Sequence, residues 1–210
     1  WQASGQSMLG PFEGTGNILL PKGGQAVIDI AALRVSGMTA KGRIIPRTGG
    51  LDGNLALSGG GINGTLDLRP QGNIQRIDAK IDARNARFEG PPVIMAKRAR
   101  FDGSILLDPA GVKVDGTLTG EGLSRGSWQL ARLAANLKMS GEDGEIRASF
   151  SGARGRSFDL QTVARGKGGR WQIEGSGTVD RKPVKLLQTA NLSRQGGGWK
   201  LDPVDLGYLG

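Results

Sequence analysis

The run Ile77-Asp78-Ala79-Lys80-Ile81-Asp82-Ala83-Arg84 puts an apolar residue at every odd position and a charged one at every even position. Side chains of a β-strand alternate between faces, so such a run has one dry face and one wet face. A helix would scatter the same residues around its circumference. The arrangement recurs in Ala99-Arg100-Phe101-Asp102-Gly103-Ser104-Ile105, in Val112-Lys113-Val114-Asp115-Gly116-Thr117-Leu118 and in Ile146-Arg147-Ala148-Ser149-Phe150. Shorter versions stand at Leu66-Asp67-Leu68, Phe158-Asp159-Leu160, Trp171-Gln172-Ile173 and Trp199-Lys200-Leu201.

Turn residues separate these runs: Gly49-Gly50, Gly59-Gly60-Gly61, Asp108-Pro109-Ala110-Gly111, Gly141-Glu142-Asp143-Gly144, Gly168-Gly169 and Gly196-Gly197-Gly198. Reversals spaced about ten residues apart predict hairpins joined into a meander. The stretch Trp128–Met139 admits two readings. Leu130, Leu133, Ala134 and Leu137 fit a helical stripe, whereas Leu133, Ala135, Leu137 and Met139 alternate with polar or small residues. Its neighbours are strands, and Gly126 and Gly141 bracket it, so a strand is the expectation. Gly64–Gly72, Gly103–Gly111 and Gly177–Pro183 resemble one another loosely, which fits either one reused unit, a Gly-started strand closed by a Pro-containing turn, or the strands and turns that any meander needs.

One-faced strands must bury the apolar face against something. Sandwiches and closed barrels fill their interiors with large side chains, but aromatics make up only 5% here, while Gly supplies 37 of 210 residues. That is more than twice the ordinary Gly share, and Gly within strands permits bending. The expectation is an all-β fold: an elongated antiparallel sheet of Gly-punctuated hairpins curled into a groove. Residues 1–210 read as one continuous section of a longer protein. The alternation is looser in residues 1–60, around Leu19-Leu20-Pro21 and Ile44-Ile45-Pro46.

The chain has neither His nor Cys, which removes imidazole bases, thiol nucleophiles and the usual zinc and iron–sulfur ligands. It also shows no G-x-S-x-G, S-x-x-K or paired-carboxylate constellation in a convincing context. The reading is a protein that is not an enzyme and holds no cofactor or metal. The net charge of +9 raises nucleic acid as a partner. Stacking on nucleic acid calls for basic residues clustered with aromatics. Here only Lys97-Arg98-Ala99-Arg100 and Arg181-Lys182 cluster, and a solvated face accounts for them, so no nucleic acid is expected. A basic exterior equally suits anionic lipid head groups. No apolar run reaches the roughly 18 residues that a membrane span needs, which puts any anchor outside this stretch.

The succession Gly175-Ser176-Gly177-Thr178-Val179-Asp180-Arg181-Lys182-Pro183-Val184-Lys185-Leu186, then Ala190-Asn191-Leu192-Ser193-Arg194, then Gly198-Trp199-Lys200-Leu201-Asp202-Pro203-Val204-Asp205-Leu206, resembles the TamB branch of the AsmA-like proteins. The resemblance is strongest in this C-terminal part and diffuse elsewhere. It implies a β-taco section of a protein anchored in the inner membrane and crossing the periplasm. It further implies phospholipid acyl chains as cargo, and an outer-membrane barrel of the Omp85 type as partner of the full-length protein. On that reading the dry strand faces touch lipid through Ile77, Ile81, Phe101, Ile105, Leu107, Val112, Val114, Leu118, Ile146, Phe150, Leu160 and Ile173. Two alternatives stay open: these side chains pack only on one another, or the chain is an adhesin-like stalk without cargo. Trp128, Trp171 and Trp199 are expected to plug strand ends and carry no assigned site.

Overall fold

The computed structural model describes residues 1–7, 10–88, 93–126, 128–195 and 198–208. Seventeen strands, β1 (Gln2–Ser7) to β17 (Leu206–Tyr208), make one antiparallel sheet, and there is no helix among the described residues. From β1 to β13 (Arg170–Val179) each strand pairs with the next in sequence, so the expected meander is what forms. Beyond it, β14 (Lys182–Leu186) and β15 (Ala190–Gln195) lie along successive halves of β13 as one interrupted partner. In the same way β16 (Gly198–Leu201) follows β15 and β17 follows β14. Among the described residues β1 pairs only with β2 (Gly10–Leu19), so the sheet does not close into a barrel.

Hairpin chemistry explains the tight reversals. Gly60-Gly61 and Gly168-Gly169 both adopt positive φ, which a two-residue turn matched to strand twist requires. Asp180 and Arg181 do the same without glycine, at φ of 51° and 66°. At Asp108-Pro109-Ala110-Gly111 the Asp108 carboxylate accepts the Ala110 N–H at 2.9 Å. Of the expected turn Gly196-Gly197-Gly198, residues 196–197 lie outside the described ones, as do Leu209 and Gly210 at the end of the chain.

Trp128–Ser140 is a strand, β10. Its helix-like spacing has a structural cause. Asn85, Lys97, Gly122 and Ala131, on the four consecutive strands β7 (Ile74–Phe88), β8 (Ile94–Asp108), β9 (Gly111–Arg125) and β10, are all skipped by the pairing. They form one crease across the sheet, with left-handed backbone at Asn85 (φ 46°) and Gly122 (φ 58°). Each strand gains a residue there, so its inward positions fall three apart: Ala83 and Ala86, Ala96 and Ala99, Gly120 and Leu123, Leu130 and Leu133.

The strands of residues 1–60 belong to the same sheet and supply three of the four residues of a buried aliphatic cluster. Ile30, Ile44, Leu55 and Leu68, one each from β3 (Val27–Val35), β4 (Met38–Arg47), β5 (Gly50–Gly59) and β6 (Ile62–Gln71), are 7–8% exposed and pack together. The looser alternation in β3 reflects a register shift between Ile30 and Leu33, which passes the inward set from Ile28 and Ile30 to Leu33 and Val35. The curl is tight here. β4 and β6, and likewise β5 and β7, come within 8 Å between Cα atoms, although two strand spacings in a flat sheet measure about 9.6 Å.

Between the paired strands β4 and β5 two glycines leave no room for a side chain. A Cβ on Gly42 would lie 2.1 Å from the Asn54 carbonyl oxygen, and one on Gly53 would lie 2.1 Å from that of Arg43. A larger residue must push β4 and β5 apart. Gly53→Val is expected to cost about 1–3 kcal/mol in urea unfolding. Gly198→Ala, whose Cβ meets nothing within 4 Å, should stay within about 0.5 kcal/mol of the parent.

Candidate functional site

Residues directly opposite each other on paired strands share a face, so the register lists every side chain that looks the same way. One cross-strand row begins Ile18, Ile28, Ile44, Gly53, Leu68, Ile77. It continues through Ile105, Val114, Met139, Gly144, Gly166 and Trp171 to Leu192 and Leu201. A parallel row two residues along runs from Gly16 and Ile30 by way of Leu55, Leu66 and Ala79 to Leu137, Ile146, Ala164, Ile173 and Ala190. The next holds Leu33, Ala40, Leu57, Ile81, Phe101, Leu118 and Ala135. A fourth holds Ala83, Ala99, Leu133, Phe150, Leu160 and Val184. Apart from Thr162, these rows contain only apolar residues and glycine. Fourteen strands at standard spacing make a strip about 60 Å long, and four rows make it about 20 Å wide.

All twelve residues assigned from the sequence lie on this face. Ile77, Ile105 and Val114 are consecutive in one row, and Ile81, Phe101 and Leu118 in another. Phe150 faces Leu160, while Ile146 and Ile173 flank Ala164. Leu107 and Val112 pair at the margin, where they are 44% and 48% exposed. The other ten are half-buried, and no second layer covers them.

Aromatic rings fill the hollows that glycines leave in the strip. A Cβ on Gly103 or Gly116 would meet the Phe101 ring at 3.0 or 3.1 Å, so that ring lies along the floor. Trp171 covers Gly166 and is 6% exposed. Trp128 and Trp199 are instead exposed, and the Arg154 guanidinium sits 4.4 Å from the centre of the Trp128 ring.

The twelve omit much of the strip: Ile28, Ile30, Ile44, Leu55 and Leu68 before Ile77, and Leu133, Leu137 and Met139 within β10. The signal for the first group was present in Ile28-Asp29-Ile30 and Leu66-Asp67-Leu68, but glycines at Gly42 and Gly53 interrupt the apolar rhythm between them.

The opposite face is charged. Glu145 binds Arg147 at 2.6 Å on its own strand and Arg165 at 3.1 Å on the next, and Arg165 reaches Glu174 at 3.2 Å. Exposed pairs of this kind stabilise little. They oppose a one-residue slip, which would turn every charge onto the apolar face. Hydrogen bonding from Arg76 holds the Asp78 carboxyl below its ordinary pKa; the Ala110 N–H does so for Asp108, and Arg147 for Glu145.

The described residues hold no cluster of three or more potential metal ligands and no helix long and apolar enough to cross a membrane. No protein-family model, curated protein or solved structure matches the chain.

Two measurements check this account. Leu55→Ala, in the packed cluster, should cost about 2–4 kcal/mol in urea unfolding, whereas Ile105→Ala, on the open strip, should cost less than about 1.5 kcal/mol. Carboxyls held below their unfolded pKa stabilise the fold above that value and cease to do so as pH falls through the folded one. Thermal melts should therefore be nearly flat from about pH 5 to 8, where no His is present to titrate, and drop below about pH 4.

Proposed function

We propose that the chain is a section of a hydrophobic conduit that carries phospholipid acyl chains between the two membranes of a Gram-negative envelope. The observation that carries this reading is the uncovered apolar strip, unbroken by charge across fourteen strands. A methylene in water costs about 0.8 kcal/mol, so a continuous dry surface lowers the main barrier to an acyl chain crossing an aqueous space. Half a bilayer core, about 15 Å, is the length of one acyl chain, and the strip is several times longer. The likeness of residues 175–206 to the TamB branch of the AsmA-like proteins supports the same reading. On this reading the section works in the periplasm, within a protein anchored in the inner membrane and partnered with an outer-membrane barrel. The mechanism is physical, with no reacting group and no essential single residue.

A cargo-free stalk is the second reading, and β3–β6 favour it, because Ile30, Ile44, Leu55 and Leu68 already bury one another. The two readings differ in where lipid touches. Native mass spectrometry of the gently purified chain should show co-purifying phospholipid. Ile105→Asp or Val114→Glu should remove it while far-UV circular dichroism keeps the strand signal. A photo-crosslinker at Leu118 should capture lipid, and one at Leu55 should not. A lipid-free, stable chain, or lipid retained equally by the charged variants, would return the stalk reading.

A further inference from the structure

The polar face has a feature that the apolar strip does not explain. Beside the crease, a hollow of about 510 Å³ opens over β7–β12. Two wet-facing rows wall it, and the backbone between them, at Ala83, Ala99, Gly120 and Leu133, forms the floor. One row is arginine-rich. Arg84 stands directly opposite Arg98, Arg98 opposite Glu121, and Glu121 opposite Arg132. Arg100 joins them from the other row, next to Asp82.

Two of the four arginines have carboxylate partners: Arg98 reaches Glu121 at 3.4 Å and Arg100 reaches Asp82 at 3.8 Å. Among the described residues the side chains of Arg84 and Arg132 have neither an ion pair nor a hydrogen bond, although both line the hollow. The third acid in the lining, Asp159, is two strands beyond Arg132, about 9.6 Å at standard spacing, and pairs with neither. Like charges placed directly across a ladder, as Arg84 and Arg98 are, destabilise it unless something negative lies between them. The crease gives this row its place, because Asn85, Lys97, Gly122 and Ala131 each follow or precede a wall residue and bend the sheet there.

We propose that this hollow is a binding site for a phosphate ester, its phosphate held between the facing guanidinium groups of Arg84 and Arg98 and the rest of the ligand reaching toward Arg132, three strands from Arg84. The guanidinium fork matches phosphate oxygens, and the hydroxyls of Thr119, Ser149 and Ser151 offer neutral donors in the same lining. The volume lies in the range of small-molecule sites and exceeds a bare phosphate, which fits a phosphate carrying a glycerol- or sugar-sized group. Such a group belongs either to a lipid head or to a soluble ester. The site lies on the face opposite the strip and stands whether or not the strip carries lipid.

The test titrates the whole chain at about 0.1 M salt with glycerol 3-phosphate by calorimetry, and with phosphatidylglycerol or phosphatidylcholine vesicles by co-sedimentation. The expected result is saturable binding that falls at least tenfold in the double variant Arg84→Gln/Arg132→Gln. Arg156→Gln, which removes one exposed positive charge from the Asp180 pair elsewhere, should bind as the parent does. Binding of the soluble ester identifies a free ligand; binding of phosphatidylglycerol vesicles alone identifies a lipid head group. The site is overturned by an absence of saturable binding in both arms, by an unchanged affinity in the double variant, or by an equal loss in Arg156→Gln. Circular dichroism of each variant separates loss of binding from loss of fold.

Discussion

A single layer of sheet has no second layer to cover its apolar side, and the rest of this structure follows from that constraint. The accessible surface is 13497 Å², whereas a compact monomer of 22.0 kDa exposes about 9,300 Å². Stability therefore rests on the backbone ladder and on side chains that meet along cross-strand rows. Every residue counted as hydrophobic core, from Ile30 to Ala190, belongs to the apolar face. None is covered from above. Each is shielded by its neighbours in the row and by the curvature of the sheet.

Curvature is thus a source of stability, and glycine makes it possible. Where β4–β7 curl tightly, Gly42 and Gly53 let backbones approach to a distance that excludes a Cβ, and the aliphatic side chains beside them bury one another. Farther along, Phe101 and Trp171 lie over Gly103, Gly116 and Gly166 and restore apolar area that the glycines removed. The high glycine content and the low aromatic content express one design. Few rings are needed because no thick core has to be filled, and Phe101 and Trp171 pave the strip. The aliphatic side chains bury one another at β3–β6, whereas on β8 and β9 Ile105, Val114 and Leu118 are only half-buried.

Much of this was legible in the sequence because the period of a strand is two residues and Ile77–Arg84 obeys it without exception. Direct opposition of Ile77, Ile105 and Val114 follows once the turns between them are tight, so their shared face could be read before the register was known. Three things could not. The crease makes Leu130 and Leu133 look helical, and only the coincidence of skipped residues on four strands reveals a sheet feature. The register shift in β3 reverses which residues point inward between Ile30 and Leu33, which hides the first part of the strip. The arginine row is assembled from β7, β8 and β10, so no local window of sequence contains it.

The crease links the two faces. By adding one residue to each of four strands it keeps Ala86, Ala96, Leu123 and Leu130 on the apolar side, and on β7 and β8 it adds a polar residue, Asn85 and Lys97, beside Arg84 and Arg98. A twisted sheet is saddle-shaped, so a bend that narrows one face opens a hollow on the other. The fourth row of the strip, at Ala83, Ala99 and Leu133, borders the crease on one face, and the arginine hollow borders it on the other. An open sheet that needed only to be stiff would gain nothing from such a bend, because skipped residues weaken the ladder. Its persistence across four adjacent strands, with left-handed backbone accepted at a non-glycine residue, Asn85, points to a role for the surfaces it shapes.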